Sequence, residues 1–224
     1  MLIPKILHFV WIGPHPLPEW ADYNIRLFAQ LNPDYEIIIH GTELLTEDFR
    51  HAYDRVEGEH EWARRSDVLR ICALLDYGGW YFDCDFLPIR PISDIETNGK
   101  AFIPHAAYLG GQPWLSNAII GTTKDNPFLQ LVANAIKRRA KDRKPLSWGS
   151  YGPIIFTEFA HLFPEYVHVG NIDDFYRIQD AKEARRIYQL ICSSEKDIGE
   201  YLGLPLPIAL HMGMQDETVL KSRD

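Results

Sequence analysis

Two consecutive glycines, Gly78 and Gly79, separate a stretch patterned as helix from one patterned as strand, and that junction constrains the fold more than any other feature of the chain. From Glu61 to Tyr77 there is no Gly or Pro, and Trp62, Leu69, Cys72 and Leu75, with Val68 and Ile71 beside them, recur at helical spacing. The spacing predicts a helix over 61–77 with one buried face. The glycines supply the left-handed residue that ends it. Beyond them Trp80, Phe82, Cys84 and Phe86 alternate with Tyr81, Asp83 and Asp85, which predicts a strand over 80–86 with both carboxylates on one face.

The rest of the chain alternates in the same way. Ile6 to Ile12 is an almost continuous apolar run bounded by Pro4 and Gly13-Pro14, as a buried central strand requires. A helix over about 18–31 and a strand over 35–40 follow, then polar short helices over 41–60. Further strands are predicted near 101–104, 117–122 and 165–169, with helices over 127–139, within 151–163 and over 181–191. This order implies an α/β fold with a mostly parallel central sheet and helices on both faces. In such sheets ligands bind outside the carboxyl ends of the strands, so Trp11 and Asp85 are expected to share a crevice.

A length of 224 residues with 46% hydrophobic content supports a full core, read here as a single domain, 1–224. The net charge of −8 and pI near 5.6 argue against a nucleic-acid partner and against simple attraction to anionic lipid. The basic pairs Arg64-Arg65, Arg138-Arg139 and Arg185-Arg186 read as solvated helix faces. No repeat appears, the apolar N-terminal run is too short for a signal peptide, and no stretch is long enough to be an integral membrane segment. Three cysteines, Cys72, Cys84 and Cys192, suggest neither a disulfide framework nor a zinc site, so the expected location is cytoplasmic.

With 17 Asp in the chain, roughly one Asp-x-Asp is expected by chance, and Asp83-Cys84-Asp85 is the one present. On a straight strand its two carboxylates would lie about 6.6 Å apart, whereas oxygen ligands sit about 2.0 to 2.1 Å from Mg²⁺. Asp85 is therefore expected to bind a metal directly, and Asp83 through water or a substrate hydroxyl. The plainer alternative is a solvated edge strand with two exposed acids. Trp11 has two readings, a core residue or a flat surface on which a base stacks. Asp67 and Arg70, at i and i+3, are either a helix ion pair contributing about 0.2 to 0.5 kcal/mol or part of a site. His8 reads as a satisfied core residue; His211 is open between a structural residue and a ligand.

Three ordered segments carry a resemblance: Ile3-Pro4-Lys5-Ile6-Leu7-His8-Phe9-Val10-Trp11-Ile12-Gly13, Arg65-Ser66-Asp67-Val68-Leu69-Arg70, and Gly78-Gly79-Trp80-Tyr81-Phe82-Asp83-Cys84-Asp85. Together they resemble glycosyltransferases with a DXD sugar-binding region, including capsular-polysaccharide and α-mannosyl transferases of family 32 and the glucosyltransferase domains of large clostridial toxins. Weaker echoes are Asn117-Ala118-Ile119-Ile120-Gly121, Asn126-Pro127-Phe128, Tyr151-Gly152-Pro153 and His211. The resemblance implies a single GT-A-like domain, with residues 1–100 as the nucleotide-sugar-binding half and 101–224 as the sugar- and acceptor-facing half with a C-terminal lid. It also implies Mn²⁺ or Mg²⁺, a nucleoside-diphosphate-sugar donor and retention of anomeric configuration. Position by position, Val10 and Trp11 would hold the base, and Ser66, Asp67 and Arg70 would meet ribose, sugar hydroxyls and diphosphate. Asp83 would contact the donor and the metal shell, Asp85 would ligate the metal, Asn117 would face the transferred sugar, and His211 would be a further ligand.

The implied function is a metal-dependent retaining glycosyltransferase of polysaccharide or glycoconjugate synthesis. A UDP-sugar is the favoured donor and GDP-mannose the second. A glycan, lipid-linked intermediate or protein is the acceptor. The chain departs from the family where a Ser-Trp is common beyond the late His, since it reads His211-Met212-Gly213-Met214-Gln215-Asp216-Glu217. Two rival readings stay open. One is a haloacid-dehalogenase-type phosphohydrolase with Asp173-Asp174 as its second acidic cluster; the other is a sugar-nucleotide- or glycan-binding module without turnover.

Overall fold

The computed structural model describes residues 2–58, 61–109, 111–142, 144–178, 180–192, 202 and 205–213. The elements in chain order are β1 (Ile6–Val10), α1 (Glu19–Leu31), β2 (Glu36–His40), α2 (Glu47–Asp54), α3 (Glu61–Tyr77), β3 (Gly79–Phe82), β4 (Phe86–Pro88) and β5 (Ala101–Leu109). They continue as β6 (Gln112–Leu115), β7 (Ile119–Thr122), α4 (Pro127–Lys141), α5 (Pro153–Leu162), β8 (Val167–Gly170), α6 (Ala181–Cys192) and β9 (Ala209–His211). The chain forms two compact units, one of Met1–Pro14, Asp34–Asp83 and Glu96–Asn171, the other of His15–Pro33, Cys84–Ile95 and Ile172–Asp224.

The first unit is built on a seven-stranded sheet ordered β2-β1-β3-β7-β5-β6, with β8 also paired to β5. β1 runs parallel to β2 and β3, β7 runs against β3 and β5, β8 is parallel to β5, and β6 is antiparallel to β5. Five of the seven strands thus point the same way, with β6 and β7 reversed. Val68, Leu69, Ile71 and Cys72 of α3 share one apolar cluster with Phe128, Leu129, Val132 and Ile136 of α4 and with Ile155 and Phe156 of α5.

The helix–strand junction forms as its residues predict. Gly78 and Gly79 both take positive φ, +67° and +100°, and the Gly78 N–H closes the helix on the Leu74 carbonyl at 2.9 Å. A Cβ at Gly79 would stand 2.8 Å from the Ile6 carbonyl, so space as well as conformation requires glycine there. His8 on β1 ties this junction to its neighbours: its Nδ1 lies 2.9 Å from Nε2 of His40 on β2, and its Nε2 lies 2.8 Å from the Gly78 carbonyl. His8 is fully buried, and desolvation pushes its pKa down to about 4.

Three expectations need correction. The helix over 61–77 does not keep one buried face, because every residue from Asp67 to Leu74 is buried where α3 packs against β1, β3, α2 and α4. The strand expected over 80–86 ends at Phe82, and Cys84 and Asp85 form a turn before β4. Burial still alternates through that turn, with Cys84 and Phe86 inside, which is why the sequence reads as one continuous strand. Nor are the basic pairs uniformly solvated. Arg64 is buried with its guanidinium on the Glu57 and Leu146 carbonyls, and Arg139 donates to the Ser150 carbonyl and to Glu158.

The second unit contains a small antiparallel pair, β4 with β9, in which Phe86 faces His211, Leu87 faces Leu210 and Pro88 faces Ala209. α1 packs against β4, and Leu87, Ile187, Leu202, Leu210 and Met212 form its apolar cluster. The Asn24 side chain donates to the Cys84 carbonyl at 3.0 Å, anchoring the turn that carries Asp85. Among the described residues no helix is long and apolar enough to cross a membrane.

Candidate active site

The sheet brings the sequence-selected residues to one edge. β1 and β3 are parallel with Leu7 opposite Trp80 and His8 opposite Tyr81, so their carboxyl ends coincide; Trp11 follows the one and Asp83 the other. β7 runs the opposite way with Ile119 opposite Phe82, which sets Asn117 at the same edge. This is the carboxyl end of the parallel strands, where α/β sheets hold ligands.

Arg70 is the hub. Its Nη2 lies 3.1 Å from Asp67 Oδ1 and 3.2 Å from Asp83 Oδ1, and it donates to Ser66 Oγ at 2.9 Å. Nη1 donates to the Asn117 carbonyl at 2.6 Å, and the guanidinium lies 4.4 Å from the centroid of the Tyr81 ring. The Asn117 carboxamide donates to Asp67 Oδ1 at 2.6 Å, and the Tyr81 hydroxyl donates to Asp83 Oδ1 at 2.6 Å. The helix supplies Ser66 and Asp67 on one turn and Arg70 on the next, and β3 and the approach to β7 supply their partners.

Burial decides which reading of Asp67 and Arg70 holds. The Arg70 side chain is 4% exposed and that of Asp67 10%, so they are not a solvated helix pair. Burial pushes the Asp67 pKa up to about 6, against the opposing pull of Arg70 and of the Asn117 hydrogen bond, with Asp83 adding to the rise and Arg64 lowering it. A buried carboxyl fixed by a guanidinium and an amide at the carboxyl edge of the sheet is a candidate site residue.

Asp85 and His211 are brought together by β4 and β9. Asp85 Oδ2 lies 3.3 Å from His211 Nε2, and the Met212 N–H donates to the Asp85 carbonyl at 2.9 Å. Asp85 Oδ1 is buried and accepts no hydrogen bond. A buried carboxylate oxygen without a donor, beside an imidazole nitrogen, fits a divalent cation. Among the described residues no three His, Cys, Asp or Glu side chains gather as a complete metal cage.

Several residues differ from their first reading. The Val10 side chain lies in the core, and Trp11 is half-buried rather than core. Asp83 Oδ1 is occupied by Tyr81 and Arg70, whereas Asp85 Oδ1 is not, which separates the two members of the pair. Tyr81 was missed as a site residue although its alternation with Asp83 places both on one side. Gly152 was missed too: a Cβ there would lie 2.8 Å from both Nδ2 and Oδ1 of Asn117. The expected C-terminal lid beyond Gly213 lies outside the described residues.

The mixed α/β fold is GT-A-like. Residues 18–102 match the family model described as the glycosyltransferase sugar-binding region containing a DXD motif, which includes Asp67, Arg70, Asp83 and Asp85. Among curated proteins, the chain is 26% identical over 165 residues to subversion of eukaryotic traffic protein A of Legionella pneumophila, covering 61% of this chain and 25% of that one. The matched regions span 8% to 32% of the length of the curated relatives. Among solved structures, the PaToxG glycosyltransferase aligns with TM-score 0.58 at 22% identity, covering 91% of this chain and 79% of that one. The UDP-bound glycosyltransferase domain of the YGT toxin aligns with TM-score 0.54 at 11% identity, covering 75% and 79%. At these identities the two structures bear on the fold.

Proposed function

We propose that the chain is a metal-dependent, retaining glycosyltransferase taking a UDP-sugar as donor, a GDP-sugar such as GDP-mannose being the second choice. The observation that carries this reading is the buried Arg70 hub, which fixes Asp67 and Asp83 at the carboxyl edge of the sheet while Asp85 Oδ1 is left without a donor. The UDP-bound state of a structural neighbour supports the choice of uridine. The acceptor is a glycan, a lipid-linked intermediate or a protein side chain.

Asp85 and His211 would hold Mn²⁺ or Mg²⁺, which when bound supplies neutralisation of the charge that develops on the departing diphosphate. The chain's own residues prepare the donor. Arg70, itself bonded to Ser66 and to the Asn117 carbonyl, holds Asp67 and Asp83 in place in addition to any contact with the diphosphate. Asp67 and Asp83 in turn accept hydrogen bonds from donor hydroxyls through their remaining oxygen capacity, and Trp11 offers a ring for the base. Retention follows if the acceptor attacks from the face that the diphosphate leaves, with the leaving phosphate taking the acceptor proton.

The phosphohydrolase rival requires the first carboxylate of the pair to be a free nucleophile, and Asp83 Oδ1 is instead held by a hydroxyl and a guanidinium. The test is a donor-hydrolysis panel over UDP- and GDP-sugars, with Mn²⁺, with chelator, and with Asp85→Asn. The expected result is nucleotide release from a UDP-sugar that chelator and Asp85→Asn abolish. Turnover indifferent to both sinks the metal role, tight donor binding with no release favours the binding module, and trapping by beryllium fluoride favours the phosphohydrolase.

A further inference from the structure

Asn117 is held from three directions. Its carbonyl accepts from Arg70 at 2.6 Å, its carboxamide donates to Asp67 at 2.6 Å, and the other side of that carboxamide lies against the backbone at Gly152, the residue that caps the start of α5. A Cβ on residue 152 would stand 2.8 Å from Nδ2, 2.8 Å from Oδ1 and 3.0 Å from Cγ of Asn117, closer than side-chain atoms pack. The φ of Gly152 is −120°, outside the left-handed region, and the neighbouring amide leaves no room for a Cβ there. The neighbouring segment is fixed as well. Gly152 N–H donates to the Gly149 carbonyl, the Gly152 carbonyl accepts from Ile155 and Phe156, and Arg139 holds the Ser150 carbonyl at 2.9 Å. The amide therefore cannot keep its place by pushing this segment away.

We infer that Gly152 is a positioning residue: the missing side chain forms the seat in which the Asn117 carboxamide lies flat and is thereby aimed at Asp67. The role rests on the glycosyltransferase reading only for its kinetic consequence; the seating itself is a property of the fold. The Tyr151-Gly152-Pro153 segment, one of the weaker echoes in the sequence, thus gains a physical function, with Pro153 starting the helix and Gly152 clearing room for the site.

The test is Gly152→Ala, alone and combined with Asn117→Ala, read in two ways. The first is NMR of the Asn117 side-chain amide, whose short bond to a carboxylate gives a strongly downfield proton in the parent chain. In Gly152→Ala that proton should move upfield by more than the spread of the other side-chain amides. The second is donor hydrolysis: Gly152→Ala should lower kcat/KM about ten- to a hundred-fold, the range for losing a hydrogen bond to a charged group. Added to Asn117→Ala it should lower it less than about twofold, since non-additivity marks action through a shared partner. An unmoved amide proton overturns the inference, as does an equal loss in both backgrounds. If Gly152→Ala alone fails to fold, recovery of folding in the double variant supports the seat, and failure of both overturns it. A parent chain with no turnover on any donor counts against the glycosyltransferase reading alone, because the amide proton still reports on Gly152.

Discussion

Removing Arg70 should be the most damaging single change in the site, and its cost should depend on pH in a direction that the structure fixes. Arg70→Ala deletes hydrogen bonds to the Asn117 carbonyl at 2.6 Å and Ser66 at 2.9 Å, and leaves Asp67 and Asp83 without the cation that stood 3.1 and 3.2 Å away. Asp67, with a side chain 10% exposed, dominates the loss, while Asp83, 31% exposed, is screened by solvent and adds little. Breaking one side of a buried pair costs about 3–5 kcal/mol. The Asp67 pKa already stands at about 6, above the unfolded 3.8, because burial outweighs Arg70; without Arg70 it rises further. A raised carboxyl pKa means that stability is lost as pH rises through it, so the variant loses stability over a wider range than the parent, and the gap opens with pH. Urea denaturation of both proteins at pH 8 and pH 5.5 should show the full penalty at pH 8 and a smaller one at pH 5.5. A loss below about 1 kcal/mol at pH 8, the size of an exposed pair, refutes the buried-hub argument. A penalty that grows on acidification refutes it equally.

Other outcomes follow from the same structure. His8 has a folded-state pKa of about 4 against 6.5 unfolded, so its neutral form is favoured in the fold and stability falls on acidification between those values, by about 3 kcal/mol when complete; an imidazole resonance that titrates near 6.5 in the folded protein would refute this. Gly121→Ala sets a Cβ 2.5 Å from the Trp80 ring and should cost about 1–3 kcal/mol by overpacking, measurable by chemical denaturation with tryptophan fluorescence, whereas a neutral substitution would mean that the ring moves freely. Cys72 is buried with its thiol pushed up to about 11, so it should resist alkylation at pH 8 until urea unfolds the chain, and labelling of the native protein at the unfolded rate would contradict its burial.

The sequence made the first unit legible where local chemistry decides. α3 runs over the residues that its Gly- and Pro-free spacing marks, and the glycines end it in the left-handed conformation they alone adopt cheaply. Motif order, rather than any property of one residue, marks Ser66, Asp67, Arg70, Asp83 and Asn117 in the sequence. β4 and β9 were not legible. Each has three residues, their pairing joins positions more than a hundred residues apart, and Pro88 reads as a terminator. The turn at Cys84–Asp85 was hidden because inside and outside residues keep alternating through it. Gly152 gives no local signal, since its need for glycine comes from a side chain 35 positions earlier in the chain.

The pairing of β4 with β9 also makes chain length part of the chemistry. His211 stands opposite Phe86 because Leu210 and Ala209 occupy the next two places on the strand, and successive residues of a strand face opposite ways. A gene with one codon more or fewer between Pro205 and Ile208, if the change is carried into this pairing, would still encode both proposed metal ligands. It would set a leucine or a methionine beside Asp85 instead of the imidazole, so a comparison by residue identity would score the site as intact when its geometry was gone.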